Sequence, residues 1–260
     1  MALSPSDSGR LHVLNAVEEG WRAFCRAPWS FLLFQLLASL VLLPFVALGV
    51  VGAARLVELE LAELEGLMLL PSTGAWLALI VGVIGYVIVV IWNLVGLTRG
   101  AWISLNGDKP SFADFTRWNR PAATRLLGAT VLLAIVVALA GVIATLVSTG
   151  LGRFNTALAL IPLVVMVVFT IWLAISQKFL LQVSLFGCKQ PLDCLGSGVN
   201  VVTPNWGMVL WLVIVETAIQ MIGALFSYGG LVVAVPVLLC VSTAAYRQLF
   251  GAEDRTGLLS

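Results

Sequence analysis

Three times along the chain, a short stretch with apolar residues at helical spacing runs into a pair of long apolar segments. The short stretches begin near Leu11, Ser111 and Pro191, and the apolar pairs span about residues 29–105, 126–186 and 205–250. The six segments run from Trp29 to about Ala54, Ala75 to about Ile103, Leu126 to Val147, Phe154 to about Leu181, Trp206 to Phe226 and Leu231 to about Leu249. A helix of about 20 residues crosses a hydrocarbon core about 30 Å thick, and each segment meets that need. A closed barrel would instead show alternating segments of about ten residues. The pattern predicts an all-α polytopic membrane protein with six transmembrane helices in three parallel hairpin repeats, each preceded by a cytoplasmic amphipathic helix. The repeats cover approximately 11–105, 111–186 and 191–250. They form a single integral membrane domain over 1–260, with 251–260 as a short cytoplasmic tail. Proline removes a backbone donor, so Pro44 is expected to kink the first segment, and Tyr228-Gly229-Gly230 reads as the tight turn between the last two.

The short stretches carry the finer detail. In the first, Leu11, Leu14, Val17, Trp21 and Phe24 recur at helical spacing, with His12, Asn15, Glu18, Glu19, Arg22 and Arg26 on the other side. In the second, Ser111 and Asp114 suit a capping box. Phe112, Phe115 and Trp118 then share a face beside Arg117 and Arg120. In the third, Leu192, Leu195, Val199 and Val202 align, while Gly196 and Gly198 weaken the helix. Helices of this kind lie in the headgroup plane with the apolar face down. They serve either as elbows leading into the spanning helices or as docking surfaces for lipid headgroups or a partner. Trp21, Arg22, Phe112, Phe115, Trp118, Arg117 and Arg120 are the candidate interfacial or lipid-contact residues. Each repeat comprises two crossings, so the repeats are parallel. Many secondary transporters instead use inverted repeats.

Composition supports the membrane assignment: 60% of the 260 residues are hydrophobic and 10% are charged, against about 25% charged in ordinary soluble domains. The net charge of +1 makes no electrostatic case for nucleic acid. The first apolar run starts at Trp29 and is too long for a signal-peptide core of about 7–15 residues, so it reads as a retained helix. Of the 14 Lys and Arg, only Arg55 and Arg153 fall on one side of the predicted topology. The positive-inside rule then places both termini in the cytoplasm. Cys188 and Cys194 have no histidine near them and lack metal-site spacing. With Cys25 and Cys240 they read as free thiols. The single histidine, His12, reads as an exposed bystander. No metal or cofactor is expected.

Polar residues inside a bilayer are functional candidates by default. Glu216 lies about ten residues into the fifth segment, near mid-bilayer at about 1.5 Å per residue, and Gln220 follows one turn later. Asn93, Gln35, Thr170, Ser176, Gln177, Lys178, Ser242 and Thr243 could converge with them on one polar cavity open to the cytoplasm. The candidate intramembrane site is Glu216, Gln220, Asn93, Gln177 and Lys178. In the plain reading, Glu216 is neutral, hydrogen-bonded to Asn93 or Gln220, and joins helices. In the functional reading, it binds a proton or a substrate. The acidic run Glu58, Glu60, Glu63 and Glu65 reads as a solvated surface helix in the outer loop. Gly96 and Gly100, Ala134 to Ala144 and Gly223-Ala224 mark close helix packing.

The motifs Gly20-Trp21, Gly107-Asp108-Lys109-Pro110-Ser111-Phe112 and Asn205-Trp206 resemble those of bacterial six-helix membrane families related to the membrane domain of glycerophosphodiester phosphodiesterase. The likeness covers nearly the whole chain. It implies a six-helix fold in a bacterial plasma or other internal membrane and lends no catalytic residue, since only about ten residues follow Leu249. No Walker A loop, HExxH or nucleophile elbow occurs. The expected function is therefore non-enzymatic: a scaffold or accessory component that engages membrane lipids, a membrane-protein complex or a second copy of the chain. The alternative is a small-molecule or lipid transporter with a polar intramembrane cavity.

Overall fold

The structure, a computed structural model, describes residues 10–64, 73–153 and 155–259, and no strand occurs among them. In chain order the helices are α1 (Val13–Arg26), α2 (Pro28–Leu64), α3 (Thr73–Leu105), α4 (Phe112–Thr116), α5 (Arg120–Gly152), α6 (Thr156–Ser176), α7 (Leu180–Gln182), α8 (Pro191–Val202), α9 (Trp206–Leu225) and α10 (Ser227–Phe250). Six helical stretches are long and apolar enough to cross a membrane, as a multi-pass integral membrane protein requires. α2 packs along α3, α5 along α6, and α9 along α10, while α1 lies on α10.

Several boundaries differ from those read in the sequence. α2 runs through Pro44 to Leu64, so the acidic run begins on a helix. Glu58 there pairs with Arg55 at 3.0 Å; the side chains of Glu60 and Glu63, and all of Glu65, lie outside the described residues. α6 stops at Ser176, and the chain re-forms as α7 followed by a π turn over Val183–Gly187. α8 reaches α9 through a single 3-10 turn, Thr203–Asn205, where Pro204 cannot supply an α-helical N–H. The chain reverses at Phe226, and Tyr228 to Gly230 already belong to α10. A Cβ on Gly230 would overlap the Gly223 carbonyl, and one on Gly223 would lie 2.9 Å from the Ala234 Cβ. These glycines let α9 and α10 touch rather than forming the turn.

Glycine also sets the other close approaches. A Cβ on Gly52 would lie 2.5 Å from the Leu79 amide, and one on Gly82 would collide with the Gly49 backbone, so α2 and α3 meet backbone to backbone. Gly96 makes room for the Phe115 backbone of α4 and the Phe34 ring of α2, and Gly100 for the Phe115 ring. Phe115 is fully buried, its ring centroid 4.9 Å from Phe31 and 5.4 Å from Phe34. α4 is therefore pinned on α3, and its start is closed by the Asp114 carboxylate, which accepts from the Ser111 N–H at 2.8 Å.

The core is concentrated at the end of the bundle that carries α1, α4, α7 and α8. Trp102 stacks on Phe186 at 4.0 Å, and Tyr246 stacks on Phe250 at 4.7 Å. The last residues dock here. Asp254 accepts the backbone N–H groups of Thr256, Gly257 and Leu259 at 2.9–3.1 Å, and the Arg255 N–H donates to Phe186. This turns Leu258 inward to full burial, where its carbonyl accepts from Arg99. Residues 251–259 are thus folded into the base. Arg99 is 3% exposed within α3. Away from this end the packing thins out. The buried residues of α5 are Ala122, Ala123, Leu126 and Ala129, all in its first ten positions. In α6 they are Leu173, Ile175 and Ser176, all in its last turn.

Candidate functional site

α6 ends where Gln177 and Lys178 bond back to the carbonyls of Leu173 and Ile175, and this break frees Lys178 to cross toward α9. Its ammonium forms an ion pair with Glu216. The second oxygen of Glu216 accepts from the Ser242 hydroxyl at 2.7 Å. The carboxylate is 6% exposed and ties together the end of α6, α9 and α10. It lies within one lysine side chain of the end of α6 and at the middle of α9. Burial of an ionised carboxylate in an apolar setting is costly unless it is paired and hydrogen-bonded, and both oxygens are. The partners are Lys178 and Ser242; neither Asn93 nor Gln220 bonds to it. A cavity of about 290 Å³ opens beside the pair, with Gln220, Thr217 and Leu94 on its walls. Gln220 is one turn from the carboxylate and exposed.

The remaining polar candidates do not converge there. The Asn93 amide donates to the Gln35 side chain at 3.1 Å, and Gln35 reaches Ser39 at 3.4 Å. This makes a separate tie between α2 and α3. Gln177 turns the other way and donates to the Leu195 carbonyl at 3.0 Å, joining the end of α6 to α8. Helical periodicity brings Glu216 and Gln220 onto one face, but it says nothing of which neighbour each face meets.

Among the interfacial candidates, Trp21, Arg22, Phe112, Trp118, Arg117 and Arg120 are exposed. Phe115 is a correction: it fills the slot above Gly96 and Gly100 and contacts no surface. Only part of the apolar side read along α1 stays outward. Leu11, Val13, Ala16, Gly20, Ala23 and Phe24 are buried, whereas Leu14 is 77% exposed. Packing chose the face with the smallest residues, because a Cβ on Gly20 would lie 2.6 Å from the Val241 backbone. Arg22 pairs with Glu18, and Arg26 donates to the Ser104 carbonyl.

One polar site escaped the sequence reading. α1 and the ends of α3 and α10 enclose a cavity of about 410 Å³ bordered by Glu19, Arg22, Arg26, Arg247 and Gln248. Arg22 and Arg26, four residues apart on α1, were the available signal; their approach to the last turn of α10 was not. Cys188 and Cys194 are free thiols, and the Cys188 thiol has its pKa raised, by a hydrogen bond with Cys194 first and by burial second. Among the described residues no group of three or more His, Cys, Asp or Glu side chains could hold a metal.

No family model, curated protein or solved structure matches the chain. The resemblance to the phosphodiesterase-related membrane families rests on the short motifs alone.

Proposed function

We propose that the protein is a non-enzymatic membrane scaffold or accessory component that engages lipid, and through lipid or directly a membrane complex, from its α1–α4–α8 end. In this reading the three helix pairs are parallel hairpin repeats and the helices leading into them are interfacial. Both termini are cytoplasmic, in a bacterial plasma or other internal membrane. The observation that carries it is the uneven core. Packing is dense where α1, α4, α7 and the last residues meet, yet among the described residues α5 beyond Ala129 and α6 before Leu173 hold no fully buried side chain. Their exposed faces are largely Val, Ile and Leu, which suits lipid or a partner helix. The exposed Trp21, Phe112 and Trp118 beside Arg117 and Arg120 have the aromatic and cationic character of headgroup-level contacts.

The test is purification of the tagged full chain in mild detergent, followed by native mass measurement. A stoichiometric protein partner, or a chain carrying tightly held lipid, is expected. A bare chain whose deletion phenotype tracks uptake or efflux of a solute would refute the reading. Topology is tested separately: a cysteine placed at Arg153 should react with an impermeant thiol reagent from outside.

A second reading, transport of a small molecule or lipid, is favoured by the cavity beside Glu216, Lys178 and Gln220. There a cationic group could displace Lys178 from the carboxylate. If Glu216→Gln rescues every phenotype of a deletion strain, that reading fails.

A further inference from the structure

The cavity between α1, α3 and α10 is a polar pocket with an excess of donors. At about 410 Å³ it falls within the range of small-ligand sites, roughly 300–1,000 Å³. Three guanidinium groups border it, from Arg22, Arg26 and Arg247, against one carboxylate, Glu19. Glu18 partly offsets Arg22 from outside the pocket, which leaves the inner wall cationic.

Two donors of residues on that wall are unused, and both are sealed from the pocket until their side chains turn toward it. Nη1 of Arg247 and Nε2 of Gln248 are buried with no hydrogen-bond partner. Gln248 is 8% exposed, and its orientation is set, because its carbonyl oxygen accepts from the His12 N–H at 2.9 Å. The amide nitrogen is therefore left as a donor. Leaving such a group unpaired costs the full desolvation penalty of the group, and an acceptor arriving from outside removes that penalty. The walls are held before any ligand arrives. Gly20 locks α1 onto the Val241 backbone, the Arg247 guanidinium sits 5.3 Å from the centroid of the Trp102 ring, and Arg26 is fixed by the Ser104 carbonyl.

An unpaired guanidinium nitrogen and an unpaired amide donor on residues of one pocket, with two further guanidinium groups on its border, match the oxygens of a phosphate group, which accept hydrogen bonds from arginine. We propose that this cavity binds a phosphate-bearing anion through Arg22, Arg26, Arg247 and Gln248. The group is either the headgroup phosphate of an anionic lipid or a soluble phosphate. The proposal deepens the lipid-engaging reading above and rests on it only for the lipid as carrier. Exposed Leu14 and Trp21 on the same helix place the pocket beside a surface suited to acyl chains. The excess positive charge disfavours a headgroup that carries its own cation.

The experiment uses the purified full chain in mild detergent. Native mass measurement with added phosphatidylglycerol or phosphatidylcholine is run alongside calorimetric titration with inorganic phosphate. Arg247→Gln is the test variant. Arg22→Gln, on an exposed side chain, serves if Arg247→Gln does not give a monodisperse protein. Saturable binding of one phosphatidylglycerol, preferred over phosphatidylcholine and weakened about tenfold or more in the variant, supports the proposal with lipid as the source. Binding of inorganic phosphate alone, weakened likewise, supports it with a soluble source. Equal retention of both lipids by wild type and variant, or no binding of either ligand class, overturns it. A stoichiometric protein partner that survives in the variant leaves the accessory reading standing while the phosphate site falls, so the two failures are separable.

Discussion

Replacing Lys178 with methionine keeps the length of the side chain and removes the cation that faces Glu216. Two unit charges about 4 Å apart interact by roughly 4 kcal/mol at an effective dielectric of about 20, and breaking a buried pair by removing one partner costs about 3–5 kcal/mol. Two features lower the figure here. The Lys178 side chain is 24% exposed, and the cavity beside the pair can admit water to the orphaned carboxylate. Glu216 also keeps its bond from Ser242. The expected loss for Lys178→Met is therefore about 2–3 kcal/mol. Glu216→Gln should cost less, about 1–2 kcal/mol, because the amide oxygen still accepts from Ser242 while the partly exposed ammonium of Lys178 can turn to water. The double variant Lys178→Met/Glu216→Leu removes both charges and should lose less than the two single changes together, since an ion pair replaced as a whole by apolar groups is often neutral. Unfolding by denaturing detergent in mixed micelles, followed by tryptophan fluorescence, measures all of these. The nine tryptophans supply the signal. Single effects below about 0.5 kcal/mol that add without coupling would refute the assignment of this pair as a desolvated ion pair.

Gly20→Val should abolish the monodisperse detergent-purified protein, because its Cβ would meet the Val241 backbone at 2.6 Å; Gly207→Ala, with nothing within 4 Å, should be neutral or stabilising by up to about 1 kcal/mol. Trp102→Ala removes a ring 1% exposed that stacks on Phe186 and should cost about 3–5 kcal/mol in the same unfolding assay. Truncation after Phe250 uncovers the site of Leu258 and leaves Arg99 without its carbonyl partner; the expected result is faster proteolysis at the α3 and α10 ends, and unchanged digestion would show that the docked tail contributes nothing.

The all-helical class and the six spanning segments were legible in the chain because an apolar run of about 20 residues has one stable form in hydrocarbon, a helix with its backbone paired internally. The position of Glu216 within a spanning helix was legible for the same reason; its charge and the break of α6 at Ser176 were not, because the apolar run reads on to about Leu181 and no local pattern assigns the carboxylate a cation. Hydropathy says how deep a residue lies and not which neighbour it faces. Only the tertiary packing decided that Glu216 meets Lys178 and Ser242 while Asn93 meets Gln35. The packed side of α1 was decided the same way: the sequence grouped Leu11, Leu14, Val17, Trp21 and Phe24 on one membrane-facing side, but the close approach to α10 buried Leu11 and Phe24 with Gly20 and Ala23, whose small size lets two backbones touch, and left Leu14 and Trp21 outward. Phe115 went inward because Gly96 and Gly100 leave a slot for one ring. The cluster of Arg22, Arg26, Arg247 and Gln248 joins residues more than 200 positions apart. No local pattern encodes that contact, because it arises where the first helix comes to rest on the last.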